Sequence, residues 1–204
     1  MTLDVERLRV YIKQKLPRRA AHIFGCEQTA LTLAARWGAD PEKARRAALL
    51  HDITKYYSLD EQLKLVEKYC IMINQDDLDS PQILHAYTAA GAARCIFGLD
   101  GETVGAIHWH TTGHAEMRLL EKILYLADMI EPGRNFPGVE WLRKEAIEDL
   151  DGALLDAFAS TIAFQLDKRT PVHPATIEAY NSLLRSRRGE QKTGDSTGMQ
   201  KMHN

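Results

Sequence analysis

Four side chains of this 204-residue chain have the types and surroundings to do chemistry together: His22, His51, Asp52 and Asp128. His51 and Asp52 follow directly on the apolar run Ala47–Leu50, and Lys55 comes three residues later. Burying an imidazole, a carboxylate and an ammonium is costly unless each is compensated. An imidazole nitrogen and a carboxylate oxygen at a loosened helix end can chelate zinc, iron or manganese. Asp128 poses the same problem. From Ile123 to Ile130 seven of eight residues are apolar, and Asp128 is the exception, so it needs an Arg, a Lys or a cation. Taken alone, it reads as half of a structural salt bridge. His22 lies on the stripe shared with Cys26, Ala30 and Leu33, where an isolated histidine reads as a satisfied core residue. The conjunction changes both readings. Two imidazoles and two carboxylates on three segments make a four-ligand set with positions left for water and a substrate oxygen.

These residues need helices to carry them, and helical signals dominate the chain. Val5, Leu8, Ile12 and Leu16 recur at helical spacing until Pro17, and a second helix is expected over Arg18–Trp37, stopped by Gly38. Asp40 and Pro41 read as N-cap and first turn, and Ser58 to Glu61 as a capping box. Ser80 and Pro81 repeat the cap-then-proline device before an Ala-rich helix ending near Gly98. Further helices are expected over Glu102–His110, Ala115–Ile130, Val139–Leu150, Ala153–Leu166 and Pro174–Ser186. No period-two strand, hairpin dipeptide or internal repeat stands out, so the fold class is all-α. One domain is expected over 1–186, with a core at 18–132 and C-terminal helices at 138–186. From Arg187 to Asn204 there is almost nothing to bury; a disordered tail is expected there, His203 carries no weight, and Arg185, Arg187 and Arg188 lead only into it.

Composition excludes several classes. A net charge of -2 gives no footprint for nucleic acid or an acidic membrane surface. The longest apolar runs fall far short of the roughly 20 residues of a membrane span, and the charged N-terminus is not a signal peptide. Three separated cysteines, Cys26, Cys70 and Cys95, suggest neither a disulfide framework nor a thiolate zinc cage. A reducing cytoplasm fits, and a homodimer is compatible. Trp37, Trp109 and Trp141 read as core or interface anchors, although Trp109 and Tyr56 lie near enough to the motif to stack a nucleobase.

The pattern H…HD…D in a helical chain resembles the HD-domain metal-dependent phosphohydrolases. Four flanking segments, "LLHDITKYY", "HWHTTG", "YLADMIEPGR" and "DKRTPVHPATIEAYNSLL", resemble in this order the bacterial YqeK family. The likeness runs from about Arg19 to Leu184. It implies symmetrical cleavage of diadenosine tetraphosphate into two ADP and an iron ion held by His22, His51, Asp52 and Asp128; Mn, Co, Zn or Mg are conceivable substitutes. It also implies nucleotide contacts, to substrate or to product ADP or GDP, from Arg19, Lys55, His85, His110 and Arg134. The backbone from Thr170 through Pro171, Val172 and His173 to Pro174 completes that set. Catalysis would fall to Asp52, Lys55, His85 and His110. Of the two histidines in "IHWH", which point roughly 160° apart on a helix, His110 is the one expected to face the site because it joins the "HTTG" turn. His85 and His110 could be phosphate donors, a general acid or ligands of a second cation. Two rivals stand beside this reading. One is another HD phosphohydrolase, although the Glu-Asp pair of guanosine tetraphosphate hydrolases is missing between Asp52 and Asp128. The other is a non-catalytic nucleotide or metal sensor that retains the fold.

Overall fold

In a computed structural model, residues 4–198 are described, with side chains through Gly189. Every regular element among them is helical: α1 Val5–Lys15, α2 Pro17–Trp37, α3 Pro41–Leu50, α4 Leu59–Lys68, α5 Gln75–Asp79, α6 Leu84–Cys95, α7 Gly101–Trp109, α8 Leu119–Ile130, α9 Val139–Glu148, α10 Leu150–Lys168 and α11 Pro174–Gly198. The boundaries follow local chemistry. Asp4, Asp40 and Asp100 each accept two backbone N–H groups at the start of α1, α3 and α7, and Ser58 with Glu61 forms a reciprocal capping box for α4. Gly38, at φ 79°, closes α2.

Two local expectations are corrected, and one element appears that the sequence does not announce. Ser80 caps nothing with its side chain; a 3-10 turn, Pro81–Ile83, intervenes before α6. The short α5 arises in a polar stretch without apolar periodicity, held by a capping box between Asn74 and Asp77. Residues 111–118, expected to begin a helix near Ala115, form turns instead, and α8 starts only at Leu119. The expected tail also begins too early. Arg187 forks onto both oxygens of Asp149 at 2.8 and 2.6 Å, which ties α11 to the start of α10, and α11 continues to Gly198. His203 lies outside the described residues.

A buried apolar cluster, including Ile12, Ile23, Leu33, Leu50, Ile107, Leu124 and Phe158, runs from α1 to α11. Helix α2 packs on α3 and α8, α7 packs on α6 and α8, and α10 joins α9 and α11 to the rest. Alanines let α6 sit deep: Ala86, Ala89, Ala90, Ala92 and Ala93 are all buried. The inner ends of α2, α3, α6, α7 and α8 thereby converge on one place.

Candidate metal centre

Helix α3 loosens where it delivers its polar residues. The His51 N–H still reaches back four residues to Ala47, but those of Ile53 and Lys55 reach back only three, to Leu50 and Asp52. That tightening lets neighbouring His51 and Asp52 face one point, both with 1% exposure or less. His22 from α2, His85 at the start of α6, His110 after α7 and Asp128 in α8 meet them there.

The distances define a single cluster. His22 Nε2 lies 3.3 Å from His51 Nε2, 3.1 Å from Asp128 Oδ1 and 3.6 Å from Asp52 Oδ2. His51 Nε2 is 3.4 Å from the same Asp52 Oδ2. On the other side, His85 Nε2 is 3.2 Å from Asp52 Oδ1 and 3.2 Å from His110 Nε2, which stands 4.0 Å from that oxygen. Asp52 thus has one oxygen toward each histidine pair.

Proton placement decides what this cluster can hold. Nδ1 of His51, His85 and His110 donates to the carbonyls of Ala48, Gln82 and Ile107, at 2.7, 2.6 and 2.7 Å, and a carbonyl can only accept. His22 Nδ1 lies 3.2 Å from the Glu131 carboxylate, again an acceptor. All four imidazoles therefore turn a Nε2 lone pair inward, toward one another and toward two carboxylates. Such a set repels itself unless positive charge sits among it; it matches the outward-anchored histidines of metal sites. Burial, and next His110, hold His51 well below the ordinary histidine range. Burial, with Lys55 and then His85 as neighbouring causes, lowers His85 and His110 to about 3. Imidazoles and carboxylates without a thiolate majority are the chemistry of catalytic zinc, iron or manganese. His22, His51 and Asp128 with Cys26, and His51, Asp52 and His110, form compact groups of candidate ligand atoms. The residues present fit a divalent cation.

Cations of the protein ring the cluster. Arg19 Nη2 contacts Asp52 Oδ2 closely. Arg134 grips Asp128 twice, Nη2 to Oδ1 at 2.5 Å and Nε to the backbone carbonyl at 2.9 Å. Burial alone would raise the Asp128 carboxyl, but the Arg134 guanidinium beside it favours the charged form, and the group is held well below the usual carboxylate range. Lys55 Nζ is 3.2 Å from His85 Nε2, and burial, opposed by Asp128 and assisted by Arg19 and Arg134, lowers its ammonium to about 8. Asp128 is not sealed in its apolar helix; its side chain keeps 21% exposure at the rim of a cavity of about 590 Å³. His110, Arg134, Tyr125, Phe136, Thr161 and Phe164 also line that cavity.

His108 is placed elsewhere, its ring stacked on Tyr87 with centroids 4.2 Å apart. The Thr170–Pro174 segment is not among the residues that line the cavity at the cluster. His173 and Pro174 line a separate cavity of about 400 Å³ with His108 and Trp109, and Thr170 Oγ1 bonds back to Gln165. Tyr56 is exposed beside a cavity shared with Lys15, Pro17 and Arg18.

Two residues at the centre escape sequence reasoning. Glu131, 4% exposed, orients His22 and accepts the Gly133 N–H at 2.5 Å. A Cβ on Gly25 would lie 2.6 Å from Glu131 Oε2, so only glycine there leaves the carboxylate its place. Its one sequence signal was its position three residues after Asp128. Cys26, read only as part of an apolar stripe, brings Sγ to 3.4 Å from His22 Nε2. Burial, followed by Asp128 and Glu131, keeps its thiol protonated. The "HTTG" turn is fixed by Gly113, at φ 64°, where a Cβ would lie 2.6 Å from the Phe158 ring.

A helical scaffold with this His and Asp constellation defines the HD class, and the HD domain family matches residues 19–133. The chain belongs to that family and, within it, to the YqeK family of symmetrical bis(5'-nucleosyl)-tetraphosphatases. It is 42% identical over 169 residues to "Bis(5'-nucleosyl)-tetraphosphatase, symmetrical" of Halalkalibacterium halodurans, covering 81% of this chain and 89% of that one. The protein of the same name from Bacillus subtilis is 38% identical, over 85% of this chain and 94% of its own. A crystal structure from Clostridium acetobutylicum, described as a "predicted HD superfamily hydrolase involved in NAD metabolism", superposes with a TM-score of 0.87 at 37% identity, covering 91% of this chain and all of that one. No helix among the described residues is long and apolar enough to cross a membrane.

Proposed function

We propose that this protein hydrolyses diadenosine tetraphosphate and related dinucleoside polyphosphates symmetrically, giving two nucleoside diphosphates. One observation carries the proposal: four inward Nε2 lone pairs and two carboxylates converge beside a cavity rimmed by Arg134. The names of the curated relatives support the substrate class.

His22, His51, Asp52 and Asp128 would hold a divalent cation, and Asp52 with His85 and His110 a second one. Iron is the ion that the family resemblance implies; manganese, cobalt, zinc or magnesium would suit parts of the same donor set. Bound there, such a cation supplies Lewis acidity toward a phosphoryl oxygen and lowers the pKa of water. The chain's own groups do the rest. Asp52 orients the attacking water and draws its proton. The new bond forms from water oxygen to the second phosphorus counted from one adenosine, and the bond from that phosphorus to the central bridging oxygen breaks. Both fragments leave as ADP. Arg134 and Arg19 neutralise the polyphosphate, and Lys55 neutralises the charge that develops on the departing oxygen. Phe136 and Phe164 offer apolar faces to a nucleobase in the cavity, whose volume suits a small ligand. The Thr170–Pro174 backbone would contact the nucleotide from beyond α10.

The three cysteines are free, which supports a reducing compartment such as the cytoplasm. The test of activity is to incubate the iron-reconstituted protein with diadenosine tetraphosphate and resolve AMP, ADP and ATP by chromatography. ADP alone, two per substrate, is expected. ATP plus AMP contradicts symmetrical cleavage, and the absence of turnover contradicts an enzyme.

A further inference from the structure

The loop after α10 has little structure of its own. Helix α10 ends in a left-handed residue, Arg169 at φ 53°, and residues 170–173 have no regular conformation before α11. Thr170 bonds back to Gln165 of α10. Among the described residues, the polar contact that carries this loop across to the far wall is made by His173, whose Nε2 is 3.2 Å from Asp77 Oδ1 although the two residues are 96 positions apart.

That contact is defined down to the proton. The Ala175 N–H donates to His173 Nδ1 at 3.2 Å, so the ring proton sits on Nε2 and is donated to Asp77. Asp77 is a fixed anchor, 5% exposed, with Oδ2 accepting the Asn74 N–H at 2.7 Å and Oδ1 accepting the Tyr87 hydroxyl at 2.8 Å. The anchor leads on to the metal centre. Tyr87 stands two residues after His85 on α6, and its ring stacks at 9° on His108, two residues before His110.

We infer that Asp77 and His173 form a latch that positions the Thr170–Pro174 loop for nucleotide binding. The inference rests on the reading above that this loop contacts the nucleotide. Neither residue touches the reacting atoms; both are positioning residues. Without the latch the loop must be ordered at each binding event, which weakens nucleotide binding and leaves the chemistry at Asp52 intact.

Two variants and two readouts test this. His173→Ala removes the donor, whereas the amide of His173→Gln can still donate to Asp77. In steady-state hydrolysis of diadenosine tetraphosphate, His173→Ala is expected to raise KM about tenfold, the scale of one lost charge-assisted hydrogen bond, with kcat within about twofold. His173→Gln should recover most of that loss. Hydrogen exchange of residues 169–175 with and without ADP separates the two levels of the inference. If the wild type gains no protection with ADP, the loop's contact with nucleotide fails. If His173→Ala gains the same protection as wild type, or keeps the wild-type KM, the contact stands and the latch is refuted. A His173→Gln protein as impaired as His173→Ala would also refute it, because the hydrogen bond would then not be the working part.

Discussion

Two histidine and aspartate groups lie on either side of α7, built from the same residue types and opposite in proton arrangement. Around Asp52, four imidazoles point lone pairs inward because each spends its only proton on an outward acceptor. Around Asp77, every neighbour brings a proton: the Asn74 N–H, the Tyr87 hydroxyl and His173 Nε2–H all donate to it. The first group leaves inward lone pairs without a proton to meet them, and the second is satisfied. His108 and His110 show the divide within three residues: one stacks on Tyr87, and the other presents Nε2 to His85. Residue type alone does not separate a cation site from a structural knot; the partner of the second ring nitrogen does.

Breaking the first group should have the largest effect. Asp52→Asn removes the carboxylate that faces both histidine pairs, and activity should fall on the order of 10³-fold with loss of bound metal and retention of the helical circular dichroism signal. Wild-type rates would overturn the site assignment. The second group should respond through stability. Burial lowers His108 from 6.5 to about 4, so between those pH values the unfolded chain binds a proton that the folded one refuses. The associated stability is present above pH 6.5 and drains as pH falls toward 4, by about 3 kcal/mol. Phe at this position has no proton to bind, so the unfolding free energy from urea titrations should fall between pH 7 and pH 4.5 by about 2 kcal/mol less in His108→Phe than in wild type. An equal difference would place the acid sensitivity elsewhere.

A subtler change reaches the first group from outside. Glu131→Gln preserves the shape of the acceptor beside His22 but not its charge, and metal affinity should drop about 10- to 100-fold in a competitive chelator titration. No change would mean that Glu131 only fills space beside Gly25. The smallest effect is expected for Tyr87→Phe, which takes one of three donors from Asp77. Thermal unfolding should report about 1 kcal/mol of lost stability while metal content stays at the wild-type level. A loss of metal there would show that the two groups are not independent.

The boundary between what the sequence discloses and what it hides follows the range of the interaction. Helix starts at Asp40 and Ser58 and the stop at Gly38 are legible because a cap and its partner lie within a few residues. That only one of His108 and His110 faces the site follows from the helical period, and the choice of His110 from its place at the "HTTG" turn. His22, His51, Asp52 and Asp128 are legible because each is a polar residue in apolar surroundings, an anomaly that needs no partner to be seen. Glu131 is not, since its role depends on the space that Gly25 leaves on another helix. Nor is the bond between Asp77 and His173, set by packing between distant segments. The five-residue α5 has too little apolar pattern to announce itself, and the Arg187 fork onto Asp149 lies where composition alone suggests a tail.

Metal content tests the central claim most directly. The claim is that the histidine nitrogens facing Asp52 present lone pairs, not protons, with one Asp52 oxygen toward each histidine pair. The protein is loaded anaerobically with ferrous iron, freed of excess, and assayed by inductively coupled plasma mass spectrometry beside a His85→Ala, His110→Ala double variant. Two ions per chain in the wild type and one in the double variant are predicted. A wild-type protein that binds no iron, or a double variant that matches it, would contradict the account.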